Sequence, residues 1–179
     1  VVAKNVTQGL YYATINEAFT AANSNDEILL LKDTEESPTN DNSNAINFDL
    51  GGFTITGTLT NNGTITLNNG VIANESENGV GAINNGTLTM GVNDDTVLVD
   101  NAIAIIGSAT SGKGLQNAGT FNFYDGYLEA RIGLKGGYDN IPEDYVVFVG
   151  HNDDKNCQKV YLTNDLTLLS RAVAKTVDD

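Results

Sequence analysis

Apolar and polar residues alternate over short segments through most of this chain. Between residues 45 and 134, apolar side chains recur at every second position within a segment, and pairs such as Asn69-Gly70 and Asp125-Gly126 separate the segments. Strict alternation is typical of strands with one buried face, and Asn-Gly or Asp-Gly pairs permit a positive φ at a sharp turn. The pattern therefore predicts many short strands joined by tight turns.

A seven-residue phrase occurs three times in this region. Residues 61–67 read Asn-Asn-Gly-Thr-Ile-Thr-Leu, residues 84–90 read Asn-Asn-Gly-Thr-Leu-Thr-Met, and residues 117–123 read Asn-Ala-Gly-Thr-Phe-Asn-Phe. Spacings of 23 and 33 residues predict a repeat architecture in which each unit buries its apolar face against the next. The longer spacing indicates an inserted segment between Met90 and Lys113.

The repeat also predicts which side chains are neighbours. Alternation places the central apolar residue of each phrase inside and its Thr residues outside. The last apolar residue of each phrase is expected in one interior column, and the first Asn in a ladder of hydrogen-bonded amides. The column consists of Leu67, Met90 and Phe123, and the ladder of Asn61, Asn84 and Asn117.

Residues 1–43 have a different pattern. Thr14 and Glu17 form a capping-box sequence, and the apolar residues that follow at helical spacing predict a short helix. Residues 27–32 predict a buried strand, whereas residues 33–44 lack apolar side chains and predict an exposed loop. A helix followed by a buried strand is what we expect to cover the open end of a repeat array. The apolar helix positions are Ile15, Ala18, Phe19 and Ala22.

The composition limits the classes of partner. The chain has 179 residues, of which 40% are hydrophobic, and a formal net charge of -14. This length suits one domain with a substantial core, and the charge opposes binding to nucleic acid or acidic lipid. An acidic polysaccharide is repelled too unless calcium or a local basic group intervenes. Cys157 is the only cysteine, so no intramolecular disulfide forms, and no apolar run is long enough to insert into a membrane.

The cap-helix segment 12–22, the strand 28–33 and the Asn-Asn-Gly-Thr phrases together resemble the right-handed parallel β-helix modules of large surface proteins in Gram-positive and gut bacteria. These modules share their architecture with the pectate-lyase-like group, and the resemblance covers roughly residues 10–135. It implies an all-β, single-stranded right-handed parallel β-helix (a solenoid) with an N-terminal capping helix and a C-terminal strand or hairpin cap. It also implies a bacterial extracellular setting, secreted or on the cell surface, but it carries over no catalytic motif.

We expect residues 1–179 to form a single β-helix domain. In this division, residues 1–43 supply the N-terminal cap, residues 44–135 the repeating units, and residues 136–179 the C-terminal cap. Because the sequence begins Val1-Val2-Ala3-Lys4, without an initiator Met or a signal-like apolar block, we expect it to be part of a longer multi-domain chain.

Residues 107–114 have the residue types of a phosphate-binding loop. They read Gly-Ser-Ala-Thr-Ser-Gly-Lys-Gly, but Gly114 stands where such a loop needs Ser or Thr for magnesium, and a strand rather than a helix is predicted next. A loop between strands is therefore the preferred interpretation. His151 and Cys157 supply too few ligands for a tetrahedral zinc site, so we expect no metal and no other cofactor.

Residues 127–132 are predicted to form one strand with a polar outer face. Tyr127, Glu129 and Arg131 then lie in one outward row, with Lys135 near its end. Sugars commonly bind on such flat sheet faces, so these four residues are the candidate ligand-binding set. A polysaccharide lyase would use Arg131 or Lys135 as its base, whereas Glu129 and Arg131 on an exposed face otherwise only pair weakly.

The sequence therefore predicts a non-catalytic extracellular module that acts in adhesion or as a stalk, with weak glycan binding. Its expected partners are a glycan or a host surface protein. The alternative is a polysaccharide lyase or glycoside hydrolase that acts on acidic polysaccharide. One geometric feature distinguishes them, because a lyase needs a deep groove with Arg131 or Lys135 at its floor, whereas a stalk leaves both residues in solvent.

Overall fold

The structure is a computed structural model that describes residues 1–92, 103–140, 146–152 and 157–163, the last two segments as strands. These residues form one helix, α1 (Ile15–Ala21), and eighteen strands. The first nine strands are β1 (Ala3–Asn5), β2 (Leu10–Tyr12), β3 (Asp26–Leu30), β4 (Thr39–Asn40), β5 (Ala45–Asp49), β6 (Thr54–Thr56), β7 (Leu59–Asn61), β8 (Thr64–Asn68) and β9 (Gly70–Asn74). The others are β10 (Val80–Asn84), β11 (Thr87–Met90), β12 (Ile103–Gly107), β13 (Lys113–Asn117), β14 (Thr120–Phe123), β15 (Tyr127–Ala130), β16 (Ile132–Lys135), β17 (Val146–Asn152) and β18 (Cys157–Thr163).

The strands form three sheets that are mainly parallel. Their orders are β14-β11-β8-β5-β3-β1-β2, β16-β13-β10-β7-β4 and β17-β18-β15-β12-β9-β6. From β5 to β16 the chain visits the seven-, six- and five-stranded sheets in turn, and each strand from β5 to β13 pairs in parallel with the strand three places later. Among the described strands, antiparallel pairs are confined to β1 with β2 and β3, and to β18 with β15 and β17. The prediction of an all-β fold with parallel sheets is confirmed.

The strand register confirms the predicted interior column. Met90 is the parallel partner of both Leu67 and Phe123, and all three side chains are fully buried. Phe48 continues the column as the partner of Leu67. Buried residues from all three sheets form one apolar cluster, so the core lies between the sheets. Removal of these side chains from water is the main favourable contribution to such a stack.

The predicted asparagine ladder forms, and it contains one more residue than predicted. Asn61 Nδ2 donates to Asn84 Oδ1 at 2.8 Å, and Asn84 Nδ2 donates to Asn117 Oδ1 at 2.7 Å. Asn40, which lies outside the repeated phrases, donates to Asn61 Oδ1 at 2.8 Å. Asn61 Nδ2 also donates to the Thr87 carbonyl at 3.0 Å. The ladder therefore joins side chains and backbone of neighbouring strands, and we call it the buried ladder.

The Gly of each repeated phrase lies in a short connection between two strands, and it is required because successive connections pack closely on one another. A Cβ added at Gly86 would overlap the Gly63 carbonyl oxygen, and a Cβ added at Gly119 would overlap the Gly86 carbonyl oxygen. None of the three has a positive φ, so the requirement is one of space. The first Asn of the phrase thus forms the ladder, the Gly allows close approach, the Thr residues lie on the outer face and the apolar residues form the core.

The N-terminal helix begins as predicted. Thr14 Oγ1 accepts from Glu17 N at 3.2 Å, and the Glu17 carboxylate accepts from Thr14 N at 3.2 Å, which completes the capping box. The predicted apolar positions of α1 and its C-cap are buried, and the ring of Phe19 meets the ring of Phe48 edge to face at 5.0 Å. Helix α1 therefore packs on the core beside β5. The described residues contain no helix with the length and apolar content needed to span a membrane.

Residues 33–44 are predicted to form an exposed loop, and this prediction is wrong for the residues at the centre of the segment. Thr39–Asn40 form β4, which pairs in parallel with β7. Asn40 is fully buried as the first member of the buried ladder. The burial here is polar, and it is tolerated because the amide has a hydrogen-bond partner. A pattern of apolar residues carries no signal for a strand of this kind.

Several predictions fall outside the described residues. The segment inserted between β11 and β12 contains residues 93–102, which lie outside them. The same holds for residues 141–145, 153–156 and 164–179 of the predicted C-terminal cap. Within that segment, β17 and β18 pair antiparallel, and β18 also pairs antiparallel with β15.

Replacing Asn84 by Ala tests the buried ladder. The change removes the donor to Asn117 Oδ1 and the acceptor of Asn61 Nδ2, so we expect the free energy of unfolding to fall by about 1–3 kcal/mol. Urea unfolding followed by circular dichroism measures the loss. The matched control is Asn85→Ala at the exposed neighbouring position, where we expect a change within about 0.5 kcal/mol. Equal losses in the two variants would contradict a stabilising role of the buried amides.

Replacing Gly86 by Ala tests the close stacking of the connections. The added methyl group would force two connections apart, and we expect a loss of about 3 kcal/mol or more. Gly52→Ala is the control, since Gly52 has a φ of +83° but open space around it, and only the left-handed backbone cost of about 1–2 kcal/mol applies there. Thermal unfolding of both variants measures the difference. A Gly86 variant as stable as the Gly52 variant would show that the connections have room to move.

Candidate functional site

The structure places Tyr127 and Glu129 on one face of β15. Both are partly exposed and alternate with Leu128 and Ala130, which are fully buried as predicted. β15 pairs with β12 on one side and with β18 on the other. This part of the predicted row therefore lies within the six-stranded sheet, between two neighbouring strands.

Arg131 and Lys135 do not continue this row. Arg131 is exposed at a bend between β15 and β16, whereas alternation predicts one strand through Ile132, and Lys135 ends β16 in the five-stranded sheet. The bend follows the layer beneath it, because Arg131 N donates to the Ser108 carbonyl at 3.0 Å and Ile132 N donates to the Gly112 carbonyl at 3.2 Å. The four candidates are thus divided between two sheets and the bend that joins them.

Residues 107–114 form a loop between strands, as the preferred interpretation predicts. β12 ends at Gly107 and β13 begins at Lys113, and the residues between them form a turn. A Cβ added at Gly107 would overlap the Lys113 carbonyl oxygen, and a Cβ added at Gly112 would overlap the Gly79 carbonyl oxygen. Crowding within the turn at Gly107, and against the Gly79 carbonyl at Gly112, therefore explains these glycines without a bound phosphate.

A concave polar site lies between α1 and the connection from β4 to β5. We call it the α1 groove, and its volume is about 510 Å³. Asn16 and Thr20 lie four residues apart, so they share one face of the helix and form one wall. Asp41 is the one charged residue in the lining. The lining residues are Asn16, Thr20, Thr39, Asp41, Asn42 and Ser43.

Hydrogen bonds fix the walls of the α1 groove. Asn16 Oδ1 accepts from Thr39 N at 2.8 Å, which joins the helix to β4. Asn42 Nδ2 donates to the carbonyl oxygens of Phe19 and Ala22 at 2.7 and 2.8 Å, which satisfies the C-terminal end of α1. The walls are therefore held in place by the fold and do not need a ligand to form.

An exposed row of polar side chains begins at the α1 groove. Asp41 Oδ1 accepts from Asn62 Nδ2 at 2.6 Å, and Asn62 Oδ1 accepts from Asn85 Nδ2 at 2.8 Å. All three side chains are exposed, and each follows a member of the buried ladder by one position. We call them the outer ladder. Neighbouring strands lie about 4.8 Å apart, so the outer ladder offers one amide or carboxylate per layer. Ala118 takes the equivalent place in the third phrase.

Sequence reasoning missed both the α1 groove and the outer ladder. A signal for the ladder was present, because Asn40-Asp41 has the same form as the Asn-Asn doublets at Asn61 and Asn84. The groove has no such signal. It requires contact between residues 16–20 and residues 39–43, and this contact depends on the packing of α1 against the sheets.

Asp26 is a buried carboxylate with a perturbed pKa. Its side chain accepts from Asn5 Nδ2 at 2.8 Å, from Asn23 N at 2.8 Å, and from Gln8 Nε2. The hydrogen bond from Asn5 is the largest cause that lowers the pKa of Asp26 below its ordinary value, followed by that from Asn23, while burial acts in the opposite direction. These partners belong to the N-terminal strand, the turn after it and the end of α1, so Asp26 connects structural elements. It is not among the residues that line the α1 groove.

Comparison with known proteins gives no relative from which a function could be inferred. No protein-family model, curated protein or solved structure matches this chain. Within the described part, no three His, Cys, Asp or Glu side chains come together as a metal site requires. The side chains of His151 and Cys157 lie outside that part.

Replacing Asp26 by Asn tests the role of the buried carboxylate. Because the folded-state pKa of Asp26 is lowered, its ionised form stabilises the fold above the ordinary Asp pKa of about 3.9, and this stability is lost as the pH falls through the folded-state pKa. We expect Asp26→Asn to unfold at lower urea concentration at neutral pH, and the difference from wild type to shrink in strongly acidic solution. Glu75→Gln, at an exposed position, is the control and should change stability by less than about 0.5 kcal/mol. A difference that stays constant down to strongly acidic pH would rule out this contribution from the carboxylate.

Proposed function

We propose that this chain winds as a right-handed parallel β-helix and serves as a non-catalytic extracellular module of a bacterial surface protein, as a stalk or an adhesive surface. The single observation that carries the proposal is the in-register pairing of each strand from β5 to β13 with the strand three places later. A coil with three strands per turn produces this order. Connections between parallel strands are right-handed in nearly all proteins, which supports the proposed hand.

The buried ladder supports the role of a stalk. Amides from four successive layers are joined by three hydrogen bonds of 2.7–2.8 Å. In repeat proteins each layer is stabilised by its two neighbours, so a stack with good contacts between layers is rigid along its length. The bacterial and extracellular setting comes from the resemblance of the capping helix and the repeated phrases to surface-protein modules.

The outer face of the seven-stranded sheet supports an adhesive role with weak glycan binding. It presents hydroxyl and amide groups at a repeat of about 4.8 Å, and Asn122 Nδ2 donates to Thr89 Oγ1 at 3.1 Å along it. Shallow contacts of this kind are weak singly and become strong when several copies bind together. Two rows of register partners are Thr64, Thr87 and Thr120, and Thr66, Thr89 and Asn122. Tyr127 and Glu129 on β15 remain a second candidate contact.

A polysaccharide lyase is less compatible with the geometry. Its base has to reach a proton of a bound sugar, which requires Arg131 or Lys135 at the floor of a groove. Arg131 is exposed at the bend, and Lys135 is partly exposed at the end of β16. Neither residue lines the α1 groove. This arrangement favours the non-catalytic role.

Two assays on the purified chain test the proposed function. Incubation with polygalacturonate, with and without calcium, should form no unsaturated uronate product. On glycan surfaces of increasing density, retention should rise more steeply than density, because the binding is multivalent. Arg131→Ala should behave as wild type in both assays. Product formation that is abolished in Arg131→Ala would replace the proposal by the lyase, and the same retention at every density would contradict multivalent adhesion.

A further inference from the structure

We propose that the α1 groove binds the end of an uncharged glycan and that the outer ladder binds the sugar units that follow it. This inference rests on the glycan-binding part of the proposed function. It names a site that is separate from the sheet faces and from β15, and it specifies the chemical class of the glycan.

The size and lining of the α1 groove fit a sugar. Its volume of about 510 Å³ lies within the range of roughly 300–1,000 Å³ that is common for small-molecule sites. Unlike most such sites, it is lined by amide, hydroxyl and carboxylate side chains. A ligand that satisfies these groups must itself carry many donors and acceptors on a compact frame. A sugar ring has this property, whereas an apolar ligand would leave the lining groups without partners.

The polar groups of the groove are already oriented. Asn16 is held through its Oδ1 atom by Thr39 N, and among the described residues its Nδ2 group has no hydrogen-bond acceptor, so it can donate to a ligand. Asn42 is held by two carbonyl oxygens of α1. Asn16, Thr20, Asp41 and Ser43 are all exposed, so a ligand can reach them. Binding to side chains that are already ordered loses less conformational entropy than binding to mobile ones.

The negative charge of the site and of the whole chain favours an uncharged glycan over an acidic one. Asp41 contributes the one negative charge of the lining, and the chain as a whole carries a formal net charge of -14. Both repel uronates and sulfated sugars. The Asp41 carboxylate is at the same time a strong acceptor for sugar hydroxyl groups, because hydrogen bonds to an ionised group are stronger than those between neutral groups.

The outer ladder extends the site in one direction. Asp41 belongs to both the groove and the ladder, and Asn62 and Asn85 follow it in successive layers. Their spacing of about 4.8 Å is comparable with the length of one sugar unit in a chain. A glycan that enters the groove by its end can therefore contact one side chain per layer as it leaves. Affinity should consequently increase with chain length up to the layer of Asn85.

The test is binding of the intact chain to uncharged oligosaccharides of glucose, galactose, mannose and N-acetylhexosamines, from monosaccharides to long oligomers, with oligouronates alongside. We expect at least one uncharged series to bind, with affinity that rises with length, and oligouronates to bind at least about tenfold more weakly.

Three substitutions test the residues of the site. Asp41→Asn keeps the acceptor for Asn62 but removes the charge, and should weaken binding about tenfold. Thr20→Tyr fills the groove and should abolish it. Asn85→Ala should leave short ligands unaffected and remove the gain from greater length.

Matched substitutions on the other faces separate this inference from the proposed function. Glu75→Gln, at an exposed position outside all of these surfaces, should bind as wild type, and thermal unfolding of every variant confirms that it is folded. Thr64→Tyr on the seven-stranded sheet and Tyr127→Ala on β15 should lower retention on dense glycan surfaces but keep the rise of oligosaccharide affinity with length. Loss of that length dependence in Thr64→Tyr or Tyr127→Ala, with unchanged binding in Thr20→Tyr, would place the glycan on a sheet face and overturn the groove while the adhesive role stands. Equal binding of oligouronates would overturn the selection for uncharged glycans. No binding of any series would overturn both the groove and the glycan contact of the proposed function.

Discussion

The buried ladder from Asn40 to Asn117 is the interaction on which the register of the stack depends. Apolar alternation alone specifies only which face of a strand is buried, because a slip by one residue turns the apolar side chains outward. A slip by two residues keeps them inside, and apolar burial opposes it much less. The amides remove this ambiguity, since such a slip would separate Asn61 from Asn84 and leave buried polar groups without partners at about 1–3 kcal/mol each. Apolar residues thus determine the face, and the amides determine the register.

The polar surfaces follow from the same register. Asn40, Asn61 and Asn84 of the buried ladder are buried and the residue after each is exposed, so the outer ladder of Asp41, Asn62 and Asn85 is a direct consequence. The position of Asp41 in the α1 groove depends on the burial of Asn40, because that contact holds β4 beside β7. A groove and a row of amides with regular spacing therefore arise from a feature whose first role is structural. This connection makes the stability of the ladder and the proposed binding of a glycan experimentally related.

At both predicted chemical sites, contacts with the neighbouring strands and turns determine the backbone conformation more strongly than the local sequence pattern does. Alternation from Tyr127 to Ile132 is consistent with one strand, but the turn beneath it supplies the carbonyl oxygens of Ser108 and Gly112, and the backbone bends at Arg131 to meet them. Gly112 and Gly114 likewise allow close contact with the carbonyl oxygens of Gly79 and Gly133 in neighbouring layers. In both cases the residue types suggest a ligand-binding site, but contacts with the adjacent segments explain how these residues are arranged.

The sequence by itself determined the elements that depend on local pattern and repetition. Alternation predicts the buried faces, the phrase at Asn61, Asn84 and Asn117 predicts the layers and their amides, and Thr14 with Glu17 predicts the start of α1. The tertiary structure alone decided the contacts between segments that share no pattern. Asn40 enters the ladder through the pairing of β4 with β7, and the α1 groove forms where residues 16–20 meet residues 39–43. The physical reason is that local periodicity records which face of a segment is buried, whereas the partner that covers it is fixed by packing across the whole chain.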